Sequence, residues 1–427
     1  MGVDTDLPKL VEEHSIAKGV RCLLYRANDN PTVAVHGSIR AGTAFEPRNL
    51  QGIAELATRL LIRGSKKLGS EKIADSLESI GAAISFRNTP DAVIFQARMT
   101  TPWMQRVLNI LSECLTRPSF DRRDVEKEKE ELLTDIRLRD DDPTRRGIRE
   151  LLQLVYPKNH PYSRDRFGTA ESVKKIERGD LVDFFHEYAV RAPIILAFAG
   201  QFKPDPVLKW TGRTFGEREE ASAVRTIPGT QPSPAKKEIV MAHKAQTEIM
   251  MGTMAVGRLD PDYEALNLLN AILGELGFMG RLGQRVRDKE GLAYSCTSFL
   301  NAGLQGGNWT ALAGVNPKNV DRARALIEEE IKRVIDEPVM EQELEDAKEN
   351  QTGSALMELE STEGIARTSH NLVHYGLGLD YFAKRRQFFR RINVGQLQEM
   401  AQKYLQPSRT STVIVGPTAK TEPGSKP

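Results

Sequence analysis

Asp180-Leu-Val-Asp-Phe-Phe-His-Glu-Tyr188, followed by the apolar run Ile194-Ile-Leu-Ala-Phe-Ala-Gly200, has a counterpart near the other end of the chain. There, Gln396-Leu-Gln-Glu-Met-Ala-Gln-Lys-Tyr404 precedes Ser411-Thr-Val-Ile-Val-Gly416. Leu181 and Leu397, Tyr188 and Tyr404, and Gly200 and Gly416 are each 216 residues apart. Upstream, residues 121–136 and 340–356 both open long helices after a Pro-containing loop, at roughly the same offset. Matched order at a fixed offset is the mark of a duplicated domain.

Between these landmarks each half mixes the two periodicities. In the first, residues 20–28 and 32–42 alternate like a hairpin. Two helices (52–64 and 70–81) and two strands (83–88 and 92–99) follow, then long helices and a final edge strand. Strands grouped with helices on one side predict an α+β fold of two homologous α/β sandwich domains, each a mainly antiparallel sheet covered by helices. The expected boundaries are 1–216 and 238–416. Residues 217–237, rich in charge, Pro, Ser and Gly, read as a linker and 417–427 as a flexible tail.

Composition bounds the function. The 427 residues suit two domains of about 200 each. Sixty basic and 58 acidic side chains nearly cancel, which gives no reason to expect nucleic acid or an anionic membrane as the main partner. Cys22, Cys114 and Cys296 are too scattered for a disulfide framework or a cysteine-rich zinc site. The opening MGVDTDLPKLVEEHS carries four acidic residues and no apolar run, and no later stretch suits a membrane span. The expected location is cytoplasmic, or periplasmic if a signal peptide has been removed.

Three segments carry a family resemblance. The first is Gly52-Ile-Ala-Glu55-Leu-Ala-Thr58-Arg59-Leu-Leu-Ile-Arg63-Gly64-Ser65. The second, residues 126–136, includes Glu128 and Asp135, the latter 76 positions after Arg59. The third is Gly280-Arg-Leu-Gly-Gln-Arg-Val-Arg287-Asp-Lys-Glu-Gly291-Leu-Ala-Tyr294-Ser295. Together they resemble the pitrilysin/insulinase peptidases, in the half-length branch that includes mitochondrial processing peptidase. Active relatives read G-x-A-H-x-x-E-H-x-x-F-x-G-T in the first segment. Two histidines one helical turn apart bind zinc and the glutamate activates water. Glu55, Thr58 and Arg59 stand at those positions, and Asp135 at the place of the third ligand.

A guanidinium has no lone pair to give and repels a divalent cation, so no metal is expected in this chain. Arg59 either pairs with Asp135 and Glu55, replacing the metal's charge with a fixed side-chain cation, or points to solvent. Active relatives bear a G-G-x-L-N-A-like edge strand that accepts substrate. Here Ser85 and Phe86 replace its small polar pair, and Phe86 is placed to fill a substrate residue's space. In the third segment the resemblance implies that Arg287 and Tyr294 reach a zinc site across a chamber. A phenol there hydrogen-bonds a developing oxyanion and a guanidinium holds a substrate carbonyl. Gly291 is expected to end the helix and set Tyr294 on the next strand.

The implied function is the non-zinc-binding subunit of a heterodimeric metallopeptidase. A homologous H-x-x-E-H subunit supplies zinc, and unfolded peptides are the substrate. The alternatives are a non-catalytic scaffold or peptide-binding protein of the same fold, or a self-sufficient peptidase with an unusual metal site. His370 and His374 have helical metal-pair spacing but read as a core or surface pair. His160 and His186 are isolated. Gly274-Glu-Leu-Gly277-Phe-Met-Gly280 is neither a P-loop nor a dinucleotide fingerprint, and the charge-rich helix over 121–142 reads as a solvated face.

Overall fold

The computed structural model describes residues 7–27, 30–219 and 231–418. Most of the expected linker and all but two residues of the expected tail lie outside these. Eleven strands form two sheets: β1 (Val11–Ala17), β2 (Val20–Arg26), β3 (Thr32–Ile39), β4 (Ala83–Asn88), β5 (Val93–Thr100) and β6 (Ile194–Gly200) in the first, and β7 (Lys236–Val240), β8 (Thr247–Ala255), β9 (Ala293–Gly303), β10 (Gly306–Val315) and β11 (Ser411–Gly416) in the second.

The strand order is β1-β2-β6-β3-β5-β4 in one sheet and β7-β11-β8-β10-β9 in the other. Without β1, the two orders coincide position by position. Each sheet also has one parallel pair, β2 with β6 and β7 with β11, among otherwise antiparallel neighbours. The matched runs ending at Gly200 and Gly416 are β6 and β11, equivalent strands of a duplicated unit.

Three expectations of detail are corrected. β2 and β3 are not a hairpin, and β6 is not an edge strand, because β6 inserts between them and bonds to both. The cause lies in its sequence. Ile194–Gly200 is apolar at every position and buried at all but one, as suits a central strand covered on both faces. The helices are also not confined to one side. Val33, Val35 and Ile39 of β3 face the main core, while Ala34 packs on the other face against Ile365 and Ala366 of the Thr362–His374 helix.

The described residues divide into two compact units. One holds those up to Ile136, those from 165 to 219, and Ala355–Lys384; the other holds Arg137–Arg164, those from 231 to 354, and those from Arg385 onward. Each unit therefore includes a helix from the opposite half of the chain. The Pro143–Val155 helix puts Leu151 and Val155 against Met250, Val413 and Val415 of the second sheet. Its counterpart, Thr362–His374, starts and ends 219 residues later and covers the first sheet. Each fully buried Leu, Val or Ile at these faces contributes roughly 1.5–3 kcal/mol. None of the helices among the described residues is long and apolar enough to cross a membrane.

Polar groups are buried beside that helix too. Ser38 Oγ of β3 lies 2.7 Å from His370 Nε2 and 3.3 Å from His374 Nδ1, and the His36 and His370 rings are 4.7 Å apart. His370 is thus a core residue and His374 is half-buried beside it. Burial, aided by Arg367, Arg87 and His374, pulls the His36 pKa down to about 4. Burial with the neighbouring His36 and His374 holds His370 neutral, although Asn371 opposes it. Burial also lowers His374, with Asp91 opposing and Arg40 reinforcing the shift. Unfolded imidazoles titrate near 6.5, so between that value and about 4 the unfolded chain takes up protons that the folded chain refuses. Stability is complete above that window and falls as pH drops through it. Thermal melts from about pH 7 to about pH 5 are expected to show a falling Tm. His370→Asn should flatten that slope, whatever it does to the absolute Tm.

Candidate functional site

The helix Ile53–Leu60 buries every residue except Arg59. Its N-terminus is held by Glu46, whose Oε1 accepts from the Gly52 and Ala54 amides at 3.0 Å each, a carboxylate at the positive end of the helix dipole. Thr58 turns its hydroxyl back to donate to the Ala54 carbonyl at 2.6 Å. Arg59 is the centre of the site. Its Nε donates to Glu55 Oε1 at 2.9 Å, and its Nη2 lies 2.8 Å from Asp135 Oδ2. Burial works against the charged guanidinium, but the bonds to Glu55 and Asp135 outweigh it and raise its pKa.

One turn further along, Arg63 Nε pairs with Glu128, which is only 2% exposed, and its Nη2 is 3.6 Å from Glu131. The two arginines, four apart, meet two acids seven apart on the Arg122–Asp141 helix, forming two rungs between the helices. The second rung was legible in the sequence as the register of Arg63 with Glu128. The Arg122–Asp141 helix is therefore more than a solvated face: Val125, Glu128, Leu132 and Ile136 form a buried stripe along it. Arg166 and Phe167 had no sequence signal. Arg166 Nε lies 3.4 Å from Glu55 Oε2, and the Arg59 and Arg166 guanidiniums sit 5.5 and 4.7 Å from the centre of the Phe167 ring. A cleft of about 440 Å³ opens between these groups and residues 85–88 of β4. Phe86 lines it and is half-buried against the core.

In the second unit, Leu282 and Val286 are fully buried and anchor the Arg281–Lys289 segment. Arg281 is structural: its Nε and Nη2 reach the two oxygens of Glu343 at 2.6 and 2.5 Å, with Glu330 3.6 Å from Nη1. Arg285 bonds Glu290 at 2.8 Å. Arg287, a third exposed, has its Nη1 3.8 Å from the adjacent Asp288. The helix ends at Gly291, whose amide donates to the Arg287 carbonyl at 2.9 Å while that of Leu292 donates to Val286 at 3.0 Å. Gly291 has φ +64°, a left-handed conformation that strains a residue with a Cβ.

β9 begins two residues later. Its pairing with β10 steps from Ala293↔Val315 to Ser295↔Gly314, leaving Tyr294 as the extra residue of a β-bulge. Tyr294 is 67% exposed. The first unit offers an internal control 210 residues earlier. Gly81 also has φ +64°, and β4 also begins two residues on, yet Ile84 holds the place of Tyr294 without a bulge and is 9% exposed. One copy hides this side chain and the other turns it outward.

Residues 21–169 match the model of the insulinase family, peptidase family M16, and residues 175–351 match that of the peptidase M16 inactive domain. The chain belongs to the M16 peptidase family. Among relatives of this M16 chain, an uncharacterized zinc protease of Bacillus subtilis, YmxG, is 24% identical over 86% of this chain and 89% of its own length. A non-peptidase homolog of Helicobacter pylori, also YmxG, is 25% identical over 82% and 81%. A solved structure described as a peptidase M16 inactive domain from Pseudomonas fluorescens shares the fold with a TM-score of 0.87, covering 96% of this chain and 98% of its own at 22% identity.

Zinc, the metal the M16 family implies, does not fit the residues at this position. Zinc takes about four nitrogen, sulfur or carboxylate ligands. Both candidate carboxylates, Glu55 and Asp135, are instead bonded to a guanidinium that stands where an imidazole would. Among the described residues no group of three or more His, Cys, Asp or Glu side chains is placed to hold a metal ion. Thiol chemistry is equally unsuited, since burial pushes all three cysteines up to about 12. The Gly274–Gly280 run has a packing cause. Gly280 has φ +63°, and a Cβ there would lie 2.5 Å from the Leu273 carbonyl carbon and 2.6 Å from the Gly274 nitrogen. Neither backbone atom can move away cheaply. Gly280→Ala is expected to cost about 2 kcal/mol or more in urea unfolding, whereas Gly291→Ala, with open space around it, should cost about 1 kcal/mol.

Proposed function

We propose that this chain is the zinc-free subunit of a two-subunit M16 peptidase, with a homologous H-x-x-E-H partner supplying the metal and the water-activating glutamate. In this reading Tyr294 and Arg287 are offered to the partner's site. The phenol donates to the oxyanion that develops on the scissile carbonyl, and the guanidinium holds a carbonyl of the unfolded peptide beyond the cut. The reading is carried by Tyr294, a large side chain exposed on a bulge that the equivalent strand lacks. The Arg59 ion pairs support it from the other side, because they occupy the carboxylates that a zinc site would need.

The test is reconstitution. The chain would be purified alone and with each H-x-x-E-H homologue of the same genome, then assayed on unfolded peptides with and without chelator. Chelator-sensitive cleavage by a pair, with neither subunit active alone, is the expected result. Stable pairs that never cleave would instead mark the chain as a scaffold, and cleavage by the lone chain would contradict the reading outright.

A further inference from the structure

Within the first unit, a groove of about 1160 Å³ runs between the Met104–Thr116 and Pro204–Phe215 helices. Side chains from residues 105–117 line one wall and from 205–214 the other, each stretch spanning about three turns. Leu68, Ile110 and Trp210 supply its apolar surface. Trp210 is only 7% exposed, with the Phe198 and Phe215 rings edge-on to it at 6.1 and 5.6 Å. Its indole Nε1 is buried and has no hydrogen-bond acceptor among the described residues. Glu113, on the other wall, is the complement. Its Oε1 meets Lys67 at 3.1 Å, while its Oε2 is buried with no donor among the described residues. Folded proteins rarely leave a buried donor and a buried acceptor unpaired, and two in one groove point to a ligand that pairs them.

The groove is also cationic. Two of its cations, Lys67 and Arg117, lie 3.1 and 3.9 Å from Glu113. Three more, Arg106, Lys209 and Arg213, are exposed, and among the described residues no carboxylate lies within ion-pair reach of them. Against these five stand Glu113 and Asp205, an excess of three charges on a chain whose net charge is +2. Lys209 and Arg213 are one turn apart on their helix, so positive charge repeats along the groove with the helical period. These features select the occupant. The groove is open and larger than the enclosed sites that usually take small molecules. A phosphate backbone would set its own charge against Asp205 and the unpaired oxygen of Glu113. A helix carries acids, donors and an apolar stripe on one surface, and a trough between two helices has the shape to seat a third.

We propose that this groove docks an acidic amphipathic helix of a partner protein. The apolar stripe of that helix rests on Leu68, Ile110 and Trp210. Acids at positions i and i+4 face Lys209 and Arg213, and an acid on the other flank meets Arg106. A side-chain oxygen accepts from Trp210 Nε1, and an amide or ammonium group donates to Glu113 Oε2. The charges speed the approach of an acidic helix and turn basic ones away. No residue of this groove lines the cleft beside Arg59, so the inference stands apart from the peptidase reading.

The experiment needs the full chain alone. Fluorescence anisotropy would follow a labelled, stapled helix of about 15 residues with leucines along one face and glutamates flanking them. Two controls carry lysines in place of the glutamates, or the same composition with the leucines scattered around the axis. The Glu helix is expected to bind about tenfold tighter than either control and to weaken with added salt. Of the indole N–H resonances of Trp103, Trp210 and Trp309, that of Trp210 should shift on binding. That of Trp309, whose N–H Asn270 already accepts at 3.0 Å, should not. The double variant Lys209→Glu/Arg213→Glu should weaken the Glu helix about tenfold and let the Lys helix bind in its place, with an unchanged circular dichroism spectrum. Trp210→Phe keeps a ring in the core and should weaken the Glu helix about threefold. Equal affinity for either control helix, a Trp210 resonance that stays in place, or wild-type affinity in the double variant would overturn the proposal. So would tighter binding of single-stranded oligodeoxythymidylate, or self-association of the chain that the double variant abolishes, since each assigns the groove to another occupant.

Discussion

Tyr294→Phe is expected to lower kcat of the reconstituted peptidase by about 100-fold while leaving assembly of the pair untouched. The substitution removes one hydroxyl from a side chain that is 67% exposed, so nothing in the fold depends on it. A donor aimed at a developing oxyanion acts most strongly in the transition state, and losing one such donor costs about 10²–10³ in turnover. Arg287→Ala should behave differently. A guanidinium that holds a substrate carbonyl contributes to ground-state binding as well, so KM should rise along with a fall in kcat. Steady-state kinetics on the pair, with assembly measured separately by sedimentation, distinguishes the two. Unchanged kcat in Tyr294→Phe would remove the residue from the reaction.

Arg59→Ala is expected to destabilise the chain by about 2–4 kcal/mol, read as a shift of the urea midpoint without a change in m. Glu55 is 7% exposed and bonds Arg59 at 2.9 Å, so truncation leaves a buried carboxylate with only Arg166, 3.4 Å away, to balance it. Asp135 loses its 2.8 Å contact in the same step. The double variant Arg59→Ala/Glu55→Gln should recover part of the loss, because the uncompensated charge goes with it. Arg59→Lys should recover less than the wild type, since an ammonium cannot reach two carboxylates with a planar fork. A loss below about 0.5 kcal/mol for Arg59→Ala would mean that the cation does not hold the two helices together.

Much of this is legible in the sequence, for reasons that are local or periodic. The 216-residue offset of Leu181, Tyr188 and Gly200 announced a duplication, and the equivalent strand orders of the two sheets show its result. Arg59, at the place where the family resemblance puts an imidazole, argues against zinc because a guanidinium has no lone pair to give. Arg63 with Glu128 is legible on the same ground, since the spacing that aligns Arg59 with Asp135 aligns the next rung. The expected hairpin of β2 and β3 does not form, because the strongly apolar β6 lies between them and bonds to both.

What a one-dimensional pattern carries is the chemistry of each side chain and the period with which it faces a core. On those grounds the chain by itself determined its duplicated α+β units, while the resemblance of three segments to a peptidase family marked residues 55–59 as a zinc position that their side chains do not suit. Only the tertiary structure decided that each unit takes a helix from the opposite half, that Arg166 and Phe167 close around Glu55 and Arg59, and that a bulge turns Tyr294 outward where Ile84 stays inside. Each of those outcomes depends on contacts between segments far apart in the chain, or on one residue more or less in a ladder. Neither leaves a trace in composition or periodicity, because the free energy that selects them exists only once the partners have met.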